Sequence, residues 1–294
     1  MLLRRLEDAL LGGVLKLLAS LPHGPALEAG RWLGRLAYLL LSSRRRVALG
    51  NLSRVYAGRL SASEQRRIAR ASFESLGLLL VDFARLGRLE TERLRELVSI
   101  EGVENVLKAL DAGRGVLFFT AHFGSWELLP SVAALSGYPM AVIARPADNP
   151  LVEARVRALR EASGNQVITK WGATREALRL LAKGGLVGML IDQSVSARRG
   201  VAGEFLGRPA HTTDALAQLA YRSGAAVIPA FIVREGRGRR HRLLLGQEIE
   251  LAHSGDRRRD VAESTWRFVA AVEAVVERWP EQWLWCHRRW RDPS

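Results

Sequence analysis

A histidine and a carboxylate lie close together after an apolar run of the sequence. Residues 118–130 read FFTAHFGSWELLP, in which His122 ends the run and Glu127 follows five positions later. An imidazole can act as a general base near neutral pH. A carboxylate at its second ring nitrogen would hold one tautomer and stabilise the imidazolium that forms. The pair therefore predicts deprotonation of a substrate hydroxyl.

Other chemistry for this histidine receives less support from the sequence. The nucleophile motif G-x-S-x-G is absent, so a covalent acyl-enzyme intermediate is not predicted, and the activated hydroxyl would attack an acyl donor directly. A metal site would need further His or Cys residues at ligand spacing, as in H-E-x-x-H, and we expect neither a metal nor a cofactor. Taken alone, H-x4-E also fits a structural histidine near the start of a helix.

The elements around the pair alternate between strand-like and helical patterns. From about residue 101, short apolar runs predict strands at 115–121, 140–144, 166–169, 185–191 and 225–233. Helical patterns separate them at 125–136, 150–162, 173–183 and 212–223. RHRLLLGQEIEL adds a predicted edge strand, and residues 258–279 a closing helix. We therefore expect an α/β fold of three layers (α/β/α) with a mostly parallel central sheet.

The N-terminal third differs from the rest, since residues 2–98 read almost wholly helical. We expect a helical N-terminal extension over residues 1–100, packed on a catalytic domain over residues 101–294. ALLGGVLKLLASLP and RWLGRLAYLLLSSRRR combine leucine-rich faces with basic edges, which suits a membrane interface rather than a spanning segment. Two core helices with a solvated basic face would give the same pattern.

Polar residues follow four of the predicted strands. His122, Arg145 and Lys170 follow the first three, and Asp192 and Gln193 follow the fourth. In open α/β sheets, functional groups gather at the carboxyl ends of the strands. We therefore expect these side chains at one edge of the sheet, and Asp192 is a rival to Glu127 as the partner of the imidazole.

The charge of the chain is strongly positive. Its 44 Lys and Arg against 30 Asp and Glu give a net charge of +14, which favours nucleic acid, an anionic membrane or an acidic protein as partner. The single cysteine, Cys286, excludes an internal disulfide framework. No cleavable signal peptide is expected, because Glu7 and Asp8 closely follow the first basic residues.

A set of ordered motifs resembles the late acyltransferases of lipid A biosynthesis, in the lysophospholipid acyltransferase superfamily. The motifs are TAHFGSWE, RPADNP, IDQ, FLGRPAHTT, YRSGAAVIPAFIVR and PEQWLWCHRRW. The resemblance implies that His122 is the base and Glu127 its partner, and we favour Glu127 over Asp192. It also implies a substrate pocket for an acidic head group, lined by Arg145, Asp192, Gln193, Arg208 and Thr212.

The resemblance further implies an O-acyltransferase at the cytoplasmic face of the bacterial inner membrane. We expect it to move a fatty acyl chain from a thioester donor, acyl carrier protein or acyl-CoA, to a hydroxyl of a lipid A-type glycolipid precursor. Another lysolipid or a mannosylated glycolipid is the alternative acceptor. A basic nucleic-acid-binding protein is the alternative of another class, but the sequence carries no helix-turn-helix, zinc-finger or RRM signature and we expect no nucleic acid partner.

Two further patterns have competing readings. Four of the eight tryptophans lie in residues 279–290, where they could form an interfacial belt, stack on bases, or pack against the sheet, which we favour. REGRGRRHR resembles a nucleic-acid patch, but it lies between two strand-like runs and is predicted to form a solvated hairpin loop.

Overall fold

A seven-stranded sheet forms the centre of the computed structural model, which describes residues 1–169 and 172–290. The strands are β1 (Val98–Glu101), β2 (Val116–Thr120), β3 (Met140–Ala144), β4 (Gln166–Thr169), β5 (Leu186–Leu190), β8 (Ala226–Glu235) and β9 (Arg240–Leu245), and β6 (Gly200–Phe205) and β7 (Arg208–Thr213) form a separate hairpin. Five strands run parallel in the order β8-β2-β5-β3-β4, and the β9–β1 pair runs antiparallel to them.

Helices cover the sheet and form most of the N-terminal region. They are α1 (Leu2–Ser20), α2 (His23–Leu40), α3 (Ser42–Tyr56), α4 (Ala62–Arg85), α5 (Thr91–Leu97), α6 (Val103–Asp111), α7 (Leu129–Leu135), α8 (Pro150–Glu161), α9 (Ala173–Leu181), α10 (Ala215–Ser223) and α11 (Arg257–Arg278). None of the helices in the described residues is long and apolar enough to span a bilayer.

The central strand β2 explains why both faces of the sheet are covered. All five of its residues are buried. Because side chains alternate across a strand, Leu117 and Phe119 enter one hydrophobic core while Val116 and Phe118 enter a second core on the opposite face. A parallel strand with two buried faces has the continuous apolar sequence seen here. The predicted α/β architecture with a helical N-terminal region is confirmed.

The N-terminal helices pack closely on one another and also bind the C-terminal part of the chain. Helices α2 and α4 approach so closely that a Cβ on Gly77 would lie 1.9 Å from the carbonyl oxygen of Gly30, and one on Gly34 would lie 2.3 Å from that of Phe73. From α3, the Asn51 amide donates to the carbonyls of Trp285 and His287. The predicted boundary at residue 100 falls within β1, so the sheet includes residues on both sides of it.

Several sequence predictions need correction. RHRLLLGQEIEL does not form an edge strand: β9 lies between β8 and β1, because the four-residue strand β1, too short to show a period, covers it. The helix predicted at 125–136 begins only at Leu129, and the one at 212–223 begins at Ala215. The β6–β7 hairpin was not predicted. Its two strands, joined by a turn at Leu206 and Gly207, mix polar and apolar residues and so lack the apolar runs that identify the other strands.

Local capping and turn residues define where several elements begin. Ser61 and Glu64 form a capping box at the start of α4. Asn149 caps α8, with Pro150 as its first residue. REGRGRRHR does form the connection between the antiparallel strands β8 and β9. However, two of its residues, Arg234 and His241, are buried and bind the Asp82 carboxylate, so the segment is not wholly a solvated loop.

Candidate active site

His122 follows β2 at the carboxyl edge of the parallel strands, where the chain makes a tight turn. Gly124 has φ +57°, and a Cβ there would lie 1.8 Å from the carbonyl oxygen of Ile232 in β8. The turn is held by two backbone hydrogen bonds, from Gly124 N–H to the Gln282 carbonyl at 2.9 Å and from Ser125 N–H to the Ile232 carbonyl at 3.3 Å. Only glycine fits this position, so the strand end and the turn together position the imidazole.

The carboxylate that contacts the imidazole belongs to Asp192, directly after Ile191 beyond β5. Nδ1 of His122 lies 2.8 Å from Oδ1 of Asp192, and the backbone N–H of His122 donates to Oδ2 at 3.0 Å. Strands β2 and β5 are parallel neighbours, and Thr120 pairs with Leu190, so the residues two positions beyond each strand meet. Asp192 is buried, with 3% of its side chain exposed, whereas 22% of the His122 side chain is exposed.

Glu127, the favoured partner in the sequence, binds elsewhere, and that prediction was wrong. Its carboxylate accepts two hydrogen bonds from Arg160 of α8, at 2.8 Å from Nε and 2.6 Å from a terminal nitrogen. The chain turns through residues 124–128 before α7 begins, which directs Glu127 towards α8. Glu127 still acts on His122 through its charge, as a smaller contribution than that of Asp192.

Trp283 is a further member of the site that the sequence did not identify as functional. Its indole N–H donates to Oδ2 of Asp192 at 2.8 Å, and the following residue, Leu284, donates its N–H to the His122 carbonyl at 3.0 Å. Trp283, Trp285 and Trp290 are all buried and in ring contact with one another. This confirms the packing interpretation of the tryptophan-rich segment, and the only sequence signal for a role at the site was that enrichment.

The environment of the pair favours an ionised aspartate and a basic histidine. Burial alone would raise the pKa of Asp192, but the charge of His122 and the hydrogen bonds from His122 and Trp283 lower it to about 2. For His122, burial alone would lower the pKa, but the charge of Asp192 and the hydrogen bond to it raise the pKa above its ordinary value. Asp192 thus stays charged and stabilises the imidazolium.

The second ring nitrogen of His122 faces the exposed side chain of Gln193. The Gln193 amide nitrogen lies 3.1 Å from Nε2 of His122. With Nδ1–H donated to Asp192, Nε2 carries the lone pair and accepts from the Gln193 amide, as that amide is oriented here. Nε2 is therefore the basic atom, and a substrate hydroxyl would replace Gln193 at it. Trp126 lies against the imidazole, with ring centroids 5.2 Å apart in an edge contact.

The remaining predicted substrate residues do not gather around His122. Arg145 is exposed and pairs with Asp148 at 3.0 Å. Thr212 is fully buried and its hydroxyl accepts from Arg289, so it presents no group to a substrate. Arg208 lines a separate open cavity of about 380 Å³ beside Glu273 and Glu277. Lys170 lies outside the described residues.

The arrangement can perform general base catalysis on a hydroxyl. Removal of a proton at Nε2 produces an imidazolium whose Nδ1–H is already hydrogen bonded to a buried carboxylate, so the charge that develops is stabilised without rearrangement. In the described residues, no group of three or more His, Cys, Asp or Glu side chains is placed to hold a metal ion.

The sequence is similar to known acyltransferases over nearly its whole length. The family described as "Bacterial lipid A biosynthesis acyltransferase" matches residues 2–292. The lipid A biosynthesis palmitoleoyltransferase of Escherichia coli K12 is 30% identical over 281 residues, which cover 95% of this chain and 89% of that protein. The lauroyltransferase of the same organism is 27% identical over the same shares.

A relative with a different acceptor in its name is also similar. The phosphatidylinositol mannoside acyltransferase of Mycolicibacterium smegmatis is 25% identical over 244 residues, which cover 82% of this chain and 77% of that protein. The residues of the His122–Asp192 site lie within the matched family region. The chain is an acyltransferase that belongs to the bacterial lipid A biosynthesis acyltransferase family.

Proposed function

We propose that the protein transfers a fatty acyl chain from a thioester donor to a hydroxyl of a lipid A-type glycolipid precursor, with His122 as the general base and Asp192 as its partner. The observation that carries this proposal is the hydrogen bond from Nδ1 of His122 to buried Asp192, which leaves Nε2 at the open side of the site.

The reaction consists of one displacement at the acyl carbon. Nε2 of His122 takes the proton of the acceptor hydroxyl as its oxygen forms a bond to the thioester carbon. When the carbon–sulfur bond then breaks, the leaving thiolate takes a proton from the imidazolium, which returns the base to its starting state. Gln193 must move from Nε2 before the hydroxyl can bind, and the polar Nε2 site then holds that hydroxyl.

The acceptor assignment draws on the relatives. Two of them are named for lipid A biosynthesis and one for phosphatidylinositol mannosides, so the acceptors named are glycolipids in each case. Higher identity to the lipid A enzymes favours a lipid A-type precursor, and a mannosylated glycolipid is the second candidate.

The donor we propose is acyl carrier protein. That class of carrier is acidic, and a chain with net charge +14 would attract it over distances comparable to the Debye length. Acyl-CoA, also an anionic thioester, is the alternative donor, and comparing the two donors at increasing salt concentrations would separate them.

We also propose that helices α1 and α2 bind the membrane surface, on the cytoplasmic face of the bacterial inner membrane. Large apolar side chains of these helices are exposed, among them Leu2, Leu3, Leu6, Leu10, Trp32, Leu36, Leu39 and Leu40. Basic residues such as Arg5 and Arg31 lie on the same helices. Exposed leucines beside arginines suit the boundary between head groups and acyl chains of an anionic membrane.

A transfer assay with purified full-length protein tests the function. Radiolabelled acyl carrier protein thioester and acyl-CoA would each be offered with a lipid A precursor, a mannosylated glycolipid and a lysophospholipid, and products separated by chromatography. We expect transfer to the lipid A precursor, abolished by His122→Ala. Transfer to none of the acceptors, or equal transfer by His122→Ala, would reject the proposal.

A further inference from the structure

A basic cavity outside the His122–Asp192 site lies between the N-terminal helices and strand β9. An open part of about 510 Å³ is lined by His23, Arg93, Glu96, Arg239 and Arg240. A deeper part of about 160 Å³ shares His23 and Arg93 and adds Arg85 and Arg88. We call this region the arginine cavity.

Positive charge in the arginine cavity is only partly neutralised. Arg93 pairs with Glu96 at 2.5 Å, while Arg239 and Arg240 have no ion pair among the described residues. Arg85 and Arg88 donate to the carbonyls of Leu18 and Ala19 at the end of α1 and of Leu21 just after it, which neutralises no formal charge. Asp82, at the base of the deeper part, is already bound to Arg234 and His241.

The neighbouring positive charges in the cavity affect the pKa values of Arg85 and His23. Burial, followed by the charges of Arg88 and Arg93, lowers the pKa of Arg85. Burial and then Arg85 also lower the pKa of His23, against an opposing effect of Asp82. The Nε2 atom of His23 is buried and has no hydrogen-bond partner in the described part of the chain. A ligand that accepts hydrogen bonds and carries negative charge would complete this site.

The arginine cavity lies at the same sheet edge as His122. His241 and Asp82 line its deeper part, and Asp82 accepts a hydrogen bond from Ser125, three positions after His122. Ser125 in turn donates its N–H to Ile232 of β8, whose carboxyl end lies beside that of β2. The buried side chains of Asp82 and Ser125 therefore connect the lining of the cavity to the turn that follows His122.

We propose that the arginine cavity binds a phosphate group, held by Arg93, Arg239 and the Nε2–H of His23. Guanidinium groups bind phosphate oxygens in bidentate pairs, and a phosphate offers enough acceptor oxygens for several donors at once. The assignment of that phosphate to a substrate rests on the proposed function. It is either a phosphate of the lipid acceptor's head group or the phosphodiester of the donor's pantetheine arm.

A binding experiment that needs no acyl transfer tests the cavity. Inorganic pyrophosphate would be titrated calorimetrically into the full-length His122→Ala protein at 0.15 M ionic strength, where diffuse charge effects are screened. We expect saturable binding, weakened at least about tenfold by the added pair Arg93→Gln and Arg239→Gln, since two charge-assisted contacts are lost. The matched control, Arg175→Gln with Arg179→Gln, removes two exposed charges from α9 and should bind as the parent does.

Two outcomes of the titration would overturn the proposal: no saturable binding by the parent, or equal weakening in the control. If the double variant Arg93→Gln and Arg239→Gln, which we call the cavity pair, does not fold, as judged by circular dichroism, Arg239→Gln alone decides by the same criteria. The Arg239 side chain is exposed and has no ion pair with any residue that the structure describes. The imidazole of His23 gives a second readout, since bound pyrophosphate should raise its pKa in an NMR titration.

Steady-state kinetics of the parent and the cavity pair, both with His122 intact, distinguish the two sources of phosphate. If the acceptor supplies it, the cavity pair raises KM about tenfold for the phosphorylated acceptor and leaves a dephosphorylated acceptor unaffected. If the donor supplies it, the loss appears with carrier protein or CoA thioesters and is absent with an acyl N-acetylcysteamine thioester, which has no phosphate. Equal KM values for parent and cavity pair in every arm would exclude a role in substrate binding, whatever the pyrophosphate result.

Discussion

Nδ1 of His122 lies 2.8 Å from Oδ1 of Asp192, a residue 70 positions later in the chain, while Glu127, five positions away, pairs with Arg160. The two carboxylates near the histidine therefore have different tasks. Asp192 holds the base, and Glu127 joins the turn after β2 to helix α8. Each can be tested by a substitution that preserves shape and removes charge.

Replacement of His122 by Ala should lower the rate of acyl transfer by about 10²- to 10⁴-fold, since the general base is lost. The side chain is partly exposed, so the fold should persist, with an unchanged circular dichroism spectrum. Full turnover by His122→Ala would show that the imidazole is not the base.

Asp192→Asn should reduce turnover nearly as much as His122→Ala, because the amide cannot stabilise the imidazolium and favours the wrong tautomer. Glu127→Gln should instead leave turnover within about tenfold of the parent and lower the free energy of unfolding by about 1–3 kcal/mol, since Arg160 loses a charged partner in a mostly buried pair. Steady-state kinetics and urea unfolding measure both effects. The reverse pattern would return the catalytic role to Glu127.

The dependence of activity on pH should follow His122. Its pKa lies above the ordinary 6.5, and the base must be neutral to act, so kcat/KM should rise with pH through a midpoint above 6.5. Asp192→Asn should move that midpoint down, because the charge that raises the pKa is gone. A midpoint at or below 6.5 in the parent would contradict this assignment.

The free energy of unfolding should also depend on the protonation of His122, but this contribution to stability should fall as the pH rises, whereas activity rises. Because the folded-state pKa of His122 is raised, its protonation stabilises the folded state. That contribution is fully present below pH 6.5 and is lost as the pH rises through the folded-state value. The difference in unfolding free energy between parent and His122→Ala, measured by urea across this range, should therefore shrink as the pH increases.

Trp283→Phe removes the indole donor to Asp192 while keeping an aromatic ring. We expect turnover to fall about tenfold, with a higher pKa for Asp192 and a small shift in the pH profile. Trp285→Phe is the matched control, since it is equally buried but donates to the Pro280 carbonyl, away from the pair. It should cost stability without a shift in the profile, and identical profiles for the two variants would assign Trp283 to packing alone.

Membrane binding should depend on exposed leucines of α2. The triple substitution Leu36→Gln, Leu39→Gln and Leu40→Gln should weaken cosedimentation with anionic vesicles by about tenfold or more, because apolar area no longer enters the interface. Leu151→Gln, an exposed leucine of α8, serves as the control.

Point substitutions are preferable to truncation in this test, since α1 and α2 also bury Leu15, Leu18, Ala26 and Leu27 in the core. Unchanged cosedimentation of the triple variant would place the membrane contact elsewhere.

Local sequence patterns determined much of the fold. Apolar runs located β2, β3, β4, β5 and β8 to within two residues at either end, because the strands of a parallel sheet covered by helices carry consecutive apolar side chains. The capping box of Ser61 and the cap at Asn149 also depend only on neighbouring residues. The position of His122 at a strand end followed from the same patterns, as did its candidacy as a base.

The partners of His122 were decided by the tertiary structure. Whether Glu127 or Asp192 reaches the imidazole depends on the path of the turn at Gly124, which the carbonyl of Ile232 and the Gln282 backbone constrain from distant parts of the chain. Trp283 and the covering of β9 by β1 likewise arise from long-range packing. Spacing along the chain specifies what a local segment can form, but the hydrogen-bond partner of a side chain at a sheet edge depends on which strands lie side by side.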